Sequence, residues 1–362
     1  MNYQYWMDKG LVCYRENRIE DAAECFQSAL DIDGSVPILH LFMGLCRGIQ
    51  GRHEEAVQYS RKARILRSDM VEAWQQEGES LKVLKRFGEA VECFNKAVEL
   101  DPESENLWYW LGECLESLEL FDEALKAFQE AIRINHEDVM AWFHLGQILA
   151  FTQHKYQEAI NVFTRVLELS PDKSEALSNK GICLYHLGQY PEAAKLISHG
   201  LKVNPNHAGS WWMLANCQAE MGQYKQAIES YDKAISLDRR FWASCSRRME
   251  CLVHLGDYHA ALNYADELLP LKPESVNGWN MKGFSLLGLK RFDAAESCFD
   301  KAISLDRQDV TGWYGKALCF NFRGLIQEAE SYRAHALKLD PQIADKYPSF
   351  SSRWADTLIK EE

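Results

Sequence analysis

Residues 71–104 read VEAWQQEGESLKVLKRFGEAVECFNKAVELDPES, and the same pattern of sizes recurs along the chain. Starting the next copy at Glu105 puts Trp108, Gly112, Ala124, Phe128 and Ala131 where Trp74, Gly78, Ala90, Phe94 and Ala97 stood, 34 residues earlier. A fixed period of this length marks stacked supersecondary units, each packing on its neighbours. Length, 362 residues, then sets a repeat number rather than a count of independent domains.

The phase extends to copies starting at Tyr3, Pro37, Val71, Glu105, Val139, Ser174, Ala208, Trp242, Val276 and Val310, ten in all. The fifth carries one extra residue near the turn from Phe151 to Tyr156, because Ala159 arrives one place late. Within a copy, Ala73, Trp74, Gly78 and Leu81, and then Ala90, Phe94, Ala97 and Val98, keep helical spacing. Each copy therefore reads as two helices of about fourteen residues joined by a short turn such as Lys85-Arg86-Phe87-Gly88. Pro102, Pro171, Pro205, Pro273 and Pro341 fall between copies, where a missing N–H is tolerated.

Alanine holds one place in all ten copies: Ala22, Ala56, Ala90, Ala124, Ala159, Ala193, Ala227, Ala261, Ala295 and Ala329. A glycine or alanine is expected to face it across the pair in nine copies, as Gly78 and Gly112 do. Glycine inside a helix costs about 1 kcal/mol relative to alanine, so its recurrence predicts close approach of two backbones. The eighth copy departs most, with Cys245 for Trp, Met249 for Gly, Ala265 for the aromatic and Leu268 for the small residue. Volume has moved between core places there, and Trp242 is expected to refill part of it.

These residues carry a resemblance. The run W-x-x-x-G, followed by Ala, an aromatic four residues on, Ala three later and then Asp-Pro, resembles the tetratricopeptide repeat. The resemblance covers residues 3–343 and implies an all-α, right-handed superhelical solenoid of about ten helix-turn-helix units, whose first helices line a concave groove. Residues 344–362 leave the phase and are expected to form a C-terminal capping helix, with Ser351 or Ser352 as its cap and Trp354 and Leu358 one turn apart. The N-terminal end has no such device, so Tyr3, Tyr5 and Trp6 pack within the first repeat or meet another chain.

The bulk properties bound the function. A formal net charge of −13 argues against non-specific nucleic-acid binding, which rests on Lys and Arg neutralising phosphates. No apolar run approaches the eighteen or so residues of a membrane span, and the first residues lack a signal-peptide pattern; a soluble, cytoplasmic protein is expected. Residues 71–138 hold 17 acidic against 6 basic residues, a net −11, which reads as a solvated face or a docking patch for a basic partner. Of eleven cysteines, nine share two phases on packed helix faces, where free Cys behaves as a small hydrophobe; Cys13 and Cys245 stand outside them.

No constellation points to catalysis, a cofactor or a metal. Glycine-rich phosphate loops, nucleophile elbows and HExxH are missing from the sequence. Cys183 with His186 and Cys251 with His254 form C-x-x-H pairs, but they lie two repeats apart, with each Cys at a core phase. The chain is read as a non-enzymatic binding protein.

The resemblance implies a groove lined by the second, fifth, sixth, ninth and neighbouring places of each first helix. The candidate partner residues there are Phe42, Gln76, Tyr109, Trp110, Phe143, His144, Asn179, Trp212, Met213, Asn216, Arg247, Asn280, Phe284 and Tyr314. Aromatic and Met clusters mark protein contacts, and amides both donate to and accept from an extended peptide. About half of the groove-place side chains are expected to be half-buried against the adjoining helix. The family's carboxylate-gripping members use Lys and Asn one turn apart; no fifth place holds Lys, and Arg247 alone matches that pattern. The expected role is a scaffold or adaptor that holds a protein or peptide segment through aromatic anchors. The alternatives are a structural subunit that self-associates through its N-terminal end, as in a homodimer, and an accessory subunit of an enzyme assembly.

Overall fold

The computed structural model describes residues 2–238 and 242–346, without the side chains of Trp242 and Ala243. The proposed refilling by Trp242 and the proposed helix capped at Ser351 or Ser352 lie outside the described residues. Every element described is helical, and the chain is an all-α repeat solenoid. It divides into two compact bodies, one ending at Pro171 and the other starting at Asp172.

In the first body the helix pairs are α1 (Tyr3–Arg15) and α2 (Ile19–Ile32), α3 (Pro37–Ile49) and α4 (His53–Leu66), α5 (Val71–Val83) and α6 (Phe87–Leu100), α7 (Glu105–Ser117) and α8 (Phe121–Ile134), and α9 (Val139–Gln147) and α10 (Tyr156–Leu169). In the second they are α11 (Ser174–His186) and α12 (Tyr190–Val203), α13 (Ala208–Glu220) and α14 (Tyr224–Leu237), α15 (Trp242–His254) and α16 (Tyr258–Leu268), α17 (Val276–Gly288) and α18 (Phe292–Leu305), and α19 (Val310–Phe322) and α20 (Ile326–Leu339). A 3₁₀ turn, Ile343–Lys346, follows α20. The extra residue of the fifth repeat is taken up by a π-helical turn, Ile148–Thr152, directly after α9. A π turn holds one more residue than an α turn, so α10 starts in phase with the other second helices.

Three local devices repeat. The turn inside each pair closes on one residue in the left-handed region: Asn17, Lys85, Glu119, His154 and Lys290 at φ 53–60°, and glycine in the other five repeats at φ 73–76°. Around Lys85 its N–H donates to Lys82 O at 3.0 Å and Arg86 N–H donates to Leu81 O at 2.9 Å, the two bonds of a Schellman cap. The second device is the tryptophan at the fourth place. The indole N–H of Trp74 donates to Ser68 O at 2.9 Å, Trp108 to Pro102 O at 2.9 Å, Trp142 to His136 O at 3.1 Å, Trp211 to Pro205 O at 2.8 Å, Trp279 to Pro273 O at 2.8 Å and Trp313 to Arg307 O at 3.1 Å. Each ring thus clips the loop six residues before it to the helix that follows. In the second repeat His40 takes the same place, and its Nε2–H donates to Gly34 O at 2.8 Å.

The third device corrects the expected helix-pair contact. In five of the seven repeats with glycine at the eighth place of the first helix, it meets the aromatic four residues beyond the invariant alanine rather than the alanine itself, whereas Gly44 meets Ser60 and Ala56 O and Gly181 meets Ile197 and Ala193 O. A Cβ on Gly112 would stand 2.7 Å from Phe128 Cε1, and one on Gly78 would stand 2.8 Å from Phe94 Cζ. The ring fills the space in which the glycine lacks a side chain. The eighth repeat inverts the sizes: Met249 is buried where glycine is usual, and Ala265 is buried where the ring is usual. The volume shift read from the sequence is therefore a swap across one helix pair.

All eleven cysteines are free and buried, Cys13 and Cys245 included. Burial pushes the thiols of Cys93, Cys114, Cys183, Cys217 and Cys251 up to about 12, so they are packing groups rather than nucleophiles. At the N-terminal end Tyr3 and Trp6 pack on the first repeat's core, whereas Tyr5 is exposed. Among the described residues no helix is long and apolar enough to cross a membrane.

Candidate functional site

The groove candidates separate by depth. Gln76, Phe143, Met213, Asn216, Asn280, Phe284 and Tyr314 are buried, which corrects their expected availability to a partner. Their polar atoms are used internally: Gln76 Nε2 donates to Ser80 Oγ at 3.3 Å, Tyr231 OH to Asn216 Oδ1 at 2.6 Å, and Asn280 Nδ2 to Asp309 Oδ2 at 2.7 Å. Phe284 meets Phe299 edge-on at 5.2 Å within the core of the second body. Phe42, Tyr109, Trp110, His144, Asn179, Trp212 and Arg247 are half-buried.

A rule of stacking explains part of this depth. The sixth-place ring of one repeat rests on the core aromatic of the repeat before it: Phe42 on Phe26 at 5.2 Å, Trp110 on Phe94 at 6.0 Å and His144 on Phe128 at 5.2 Å. One side of each ring is used in holding repeats together, and the remainder reaches solvent.

In the first body three first helices, α5, α7 and α9, share a polar network. Lys82 Nζ lies 2.7 Å from Glu113 Oε2, and the Tyr109 hydroxyl donates to Glu113 Oε1 at 3.2 Å. The same hydroxyl lies 3.5 Å from His144 Nε2, while His144 Nδ1–H donates to Glu116 Oε2 at 2.8 Å. Burial, then the Glu113 charge, pushes the Tyr109 phenol above its ordinary range, so it remains a donor at neutral pH. Trp110 stands beside the network with the Lys82 ammonium 6.0 Å from its ring centre, and Met140 is exposed one turn before His144. The result is a half-buried aromatic surface bordered by two oriented carboxylates.

In the second body the network centres on Arg247. Its Nη2 donates to Glu220 Oε1 at 2.8 Å and its Nη1 to Glu250 Oε2 at 2.9 Å, tying α13 to α15. Burial disfavours its charge, but Glu250, Tyr231 and Glu220 outweigh that and hold it charged above its ordinary value. Beside it Tyr224 stacks on His254 at 4.9 Å with the rings 6° apart. Trp212 packs partly on the core around Tyr231. Asn179 lies on α11, apart in sequence from this network.

The site candidates drawn from the sequence did not include Lys82, Glu113, Glu116, Glu220, Glu250 or Tyr224. The carboxylates and Lys82 sit at or near the ninth or the last place of a first helix, which was the available signal, whereas Tyr224 starts a second helix, α14, and no such place marks it.

A model of the tetratricopeptide repeat matches residues 3–35 and 276–309, and one described as anaphase-promoting complex, cyclosome, subunit 3 matches residues 83–166 and 152–234. The chain belongs to the tetratricopeptide repeat family. Among solved tetratricopeptide-like structures, PilW, a type IV pilus biogenesis factor, is similar with a TM-score of 0.50 and 22% identity over 57% of this chain and 96% of its own. YrrB, described as a tetratricopeptide repeat protein with an unusual peptide-binding site, gives 0.48 and 26% over 52% and 96%. Yeast Tom70 gives 0.41 and 16% over 99% and 96%. No curated protein sequence matches the chain.

Proposed function

We propose that this tetratricopeptide repeat chain is a non-catalytic scaffold that holds an extended segment of a protein partner on the first-helix faces of its repeats. Tetratricopeptide repeats mediate protein–protein interaction. The observation that carries the finer reading is the surface formed by Tyr109, Trp110 and His144 with Glu113 and Glu116. Its rings are already immobilised by stacking on Phe94 and Phe128, so little side-chain entropy remains to be lost on binding. Its carboxylates are oriented by Lys82, Tyr109 and His144, a preorganised set of acceptors for a segment's N–H or cationic groups.

The test uses peptides selected from a random phage-displayed library on the full chain and measured by fluorescence anisotropy. Trp110→Ala is expected to weaken the selected peptides by about 2 kcal/mol, roughly 30-fold, as a central aromatic anchor does. If no peptide is selected, or if Trp110→Ala and His144→Ala both leave affinity unchanged, the reading fails.

A further inference from the structure

The second body holds a cavity of about 320 Å³ whose floor is made by Glu220 at the end of α13, Tyr224 at the start of α14, and Arg247, Glu250 and His254 on α15. Its remaining wall comes from far along the chain, from Asp345 and Lys346 of the turn that follows α20. The volume is at the lower end of the range for ligand pockets, and the floor is held in place by the Arg247 clamp and the Tyr224–His254 stack. The far wall is anchored too. Ile343 is fully buried in the core built by α15 to α20, Gln342 N–H donates to Asp340 Oδ1 at 2.9 Å, and Lys346 Nζ reaches Asp340 Oδ2 at 3.0 Å. The turn also lies against α19.

We propose that the turn Ile343–Lys346 is a cis-acting ligand of this body's own first-helix surface. It covers the Arg247 cavity, and a partner's segment enters there only as the turn leaves. Three features argue for this occupant. The turn already lines the cavity, it brings one acid and one base to a floor carrying Arg247, Glu220 and Glu250, and a fully buried apolar anchor, Ile343, with Ala344 packed beside it, fixes it. The role in competition rests on the proposal that first-helix faces bind peptide. The two tests share no residue, so either can fail while the other stands.

Cys251 lines the same cavity and is buried against Ala215, Ala227 and Tyr231, so its labelling reports departure of the turn where Cys114 and Cys319, buried at the same place of their own helices, stay protected. Iodoacetamide labelling is read thiol by thiol by peptide mass spectrometry, with Cys114 and Cys319 as buried references. Ile343→Asp is expected to raise labelling at Cys251 at least ten-fold and to leave both references unchanged. A synthetic peptide of residues 340–350, added in excess, is expected to restore protection in trans. Unchanged Cys251 labelling, or a peptide that gives no protection, overturns the proposal. Should Ile343→Asp also expose Cys319, the body has loosened as a whole. The double variant Asp345→Ser, Lys346→Ser, which keeps the anchor, then decides: a three-fold or greater rise confined to Cys251 supports the cover, and no rise overturns it.

Discussion

Moving volume across the α7–α8 pair tests the packing rule that the repeats share. A methyl group on Gly112 would stand 2.7, 2.8 and 2.9 Å from Cε1, Cζ and Cδ1 of Phe128, whereas carbon pairs rest at about 3.5–4.0 Å. Relieving an overlap of roughly 0.8 Å by shifting a buried ring costs about 1–3 kcal/mol. Alanine regains about 1 kcal/mol over glycine in a helix, so Gly112→Ala should destabilise by about 0–2 kcal/mol. Phe128→Ala alone should cost about 3–5 kcal/mol through the cavity it leaves. The eighth repeat, with Met249 opposite Ala265, shows the alternative solution. Gly112→Met combined with Phe128→Ala should therefore cost less than the two single changes together, with a coupling of about 2 kcal/mol. Repeat arrays need not unfold in one step, so the readout is native-state hydrogen exchange at the amides of α7 and α8. Additivity within about 0.5 kcal/mol would refute the idea that the two places share one volume.

Lys85→Gly and Lys290→Gly should each stabilise their repeat by about 0.5–1 kcal/mol, because the left-handed turn penalises a side chain by more than glycine loses in entropy; a fall in Tm for both would contradict the cap assignment. Trp108→Phe keeps the ring but removes the donor to Pro102 O, and should cost about 0.5–1.5 kcal/mol, seen as faster exchange in the loop before α7; Trp6→Phe, whose indole is not part of this set of clips, is the control. Burial holds His254 below its ordinary value of 6.5, with Arg247 adding to this and Glu250 opposing it. The unfolded chain then takes a proton before the folded one, so the second body keeps its full stability above pH 6.5 and loses it as pH falls toward the depressed value. His254→Gln should flatten that slope in urea midpoints between pH 7.5 and 5.5, and superimposable profiles would show that this group does not contribute.

The helical period was legible because the size pattern of Trp, Gly, Ala and Phe is imposed by close packing between neighbours, and close packing leaves its mark on composition. The left-handed turn was not legible, because five repeats hold it with Asn17, Lys85, Glu119, His154 and Lys290 rather than with the glycine that would announce it. The glycine partner was misread by one turn: invariance drew attention to alanine, whereas the ring of Phe128 or Phe94 occupies the space. At the groove, sequence gave the side of the helix but not the depth. The sixth place stacks on the preceding repeat's ring, and Asn216 and Asn280 spend their amides on Tyr231 and Asp309, contacts between residues separated by fifteen and twenty-nine places. The Arg247 cavity joins residues about a hundred places apart, beyond the reach of any local pattern.

The tryptophan clips have a consequence for how such a chain tolerates change in length. With each clipped loop tethered six residues upstream of its ring, and with the turn inside every pair but the fifth closed by the same two bonds, neither kind of connection has slack. An added residue in a connector would pull a ring off its carbonyl or open a cap. The fifth repeat shows where tolerance resides instead, since its surplus residue is wound into Ile148–Thr152 at the end of a first helix and the turn still places His154 in the left-handed region, with Lys155 N–H reaching one residue further back than in the other turns, to Leu149 O at 2.8 Å. In this architecture the rods give and the joints do not.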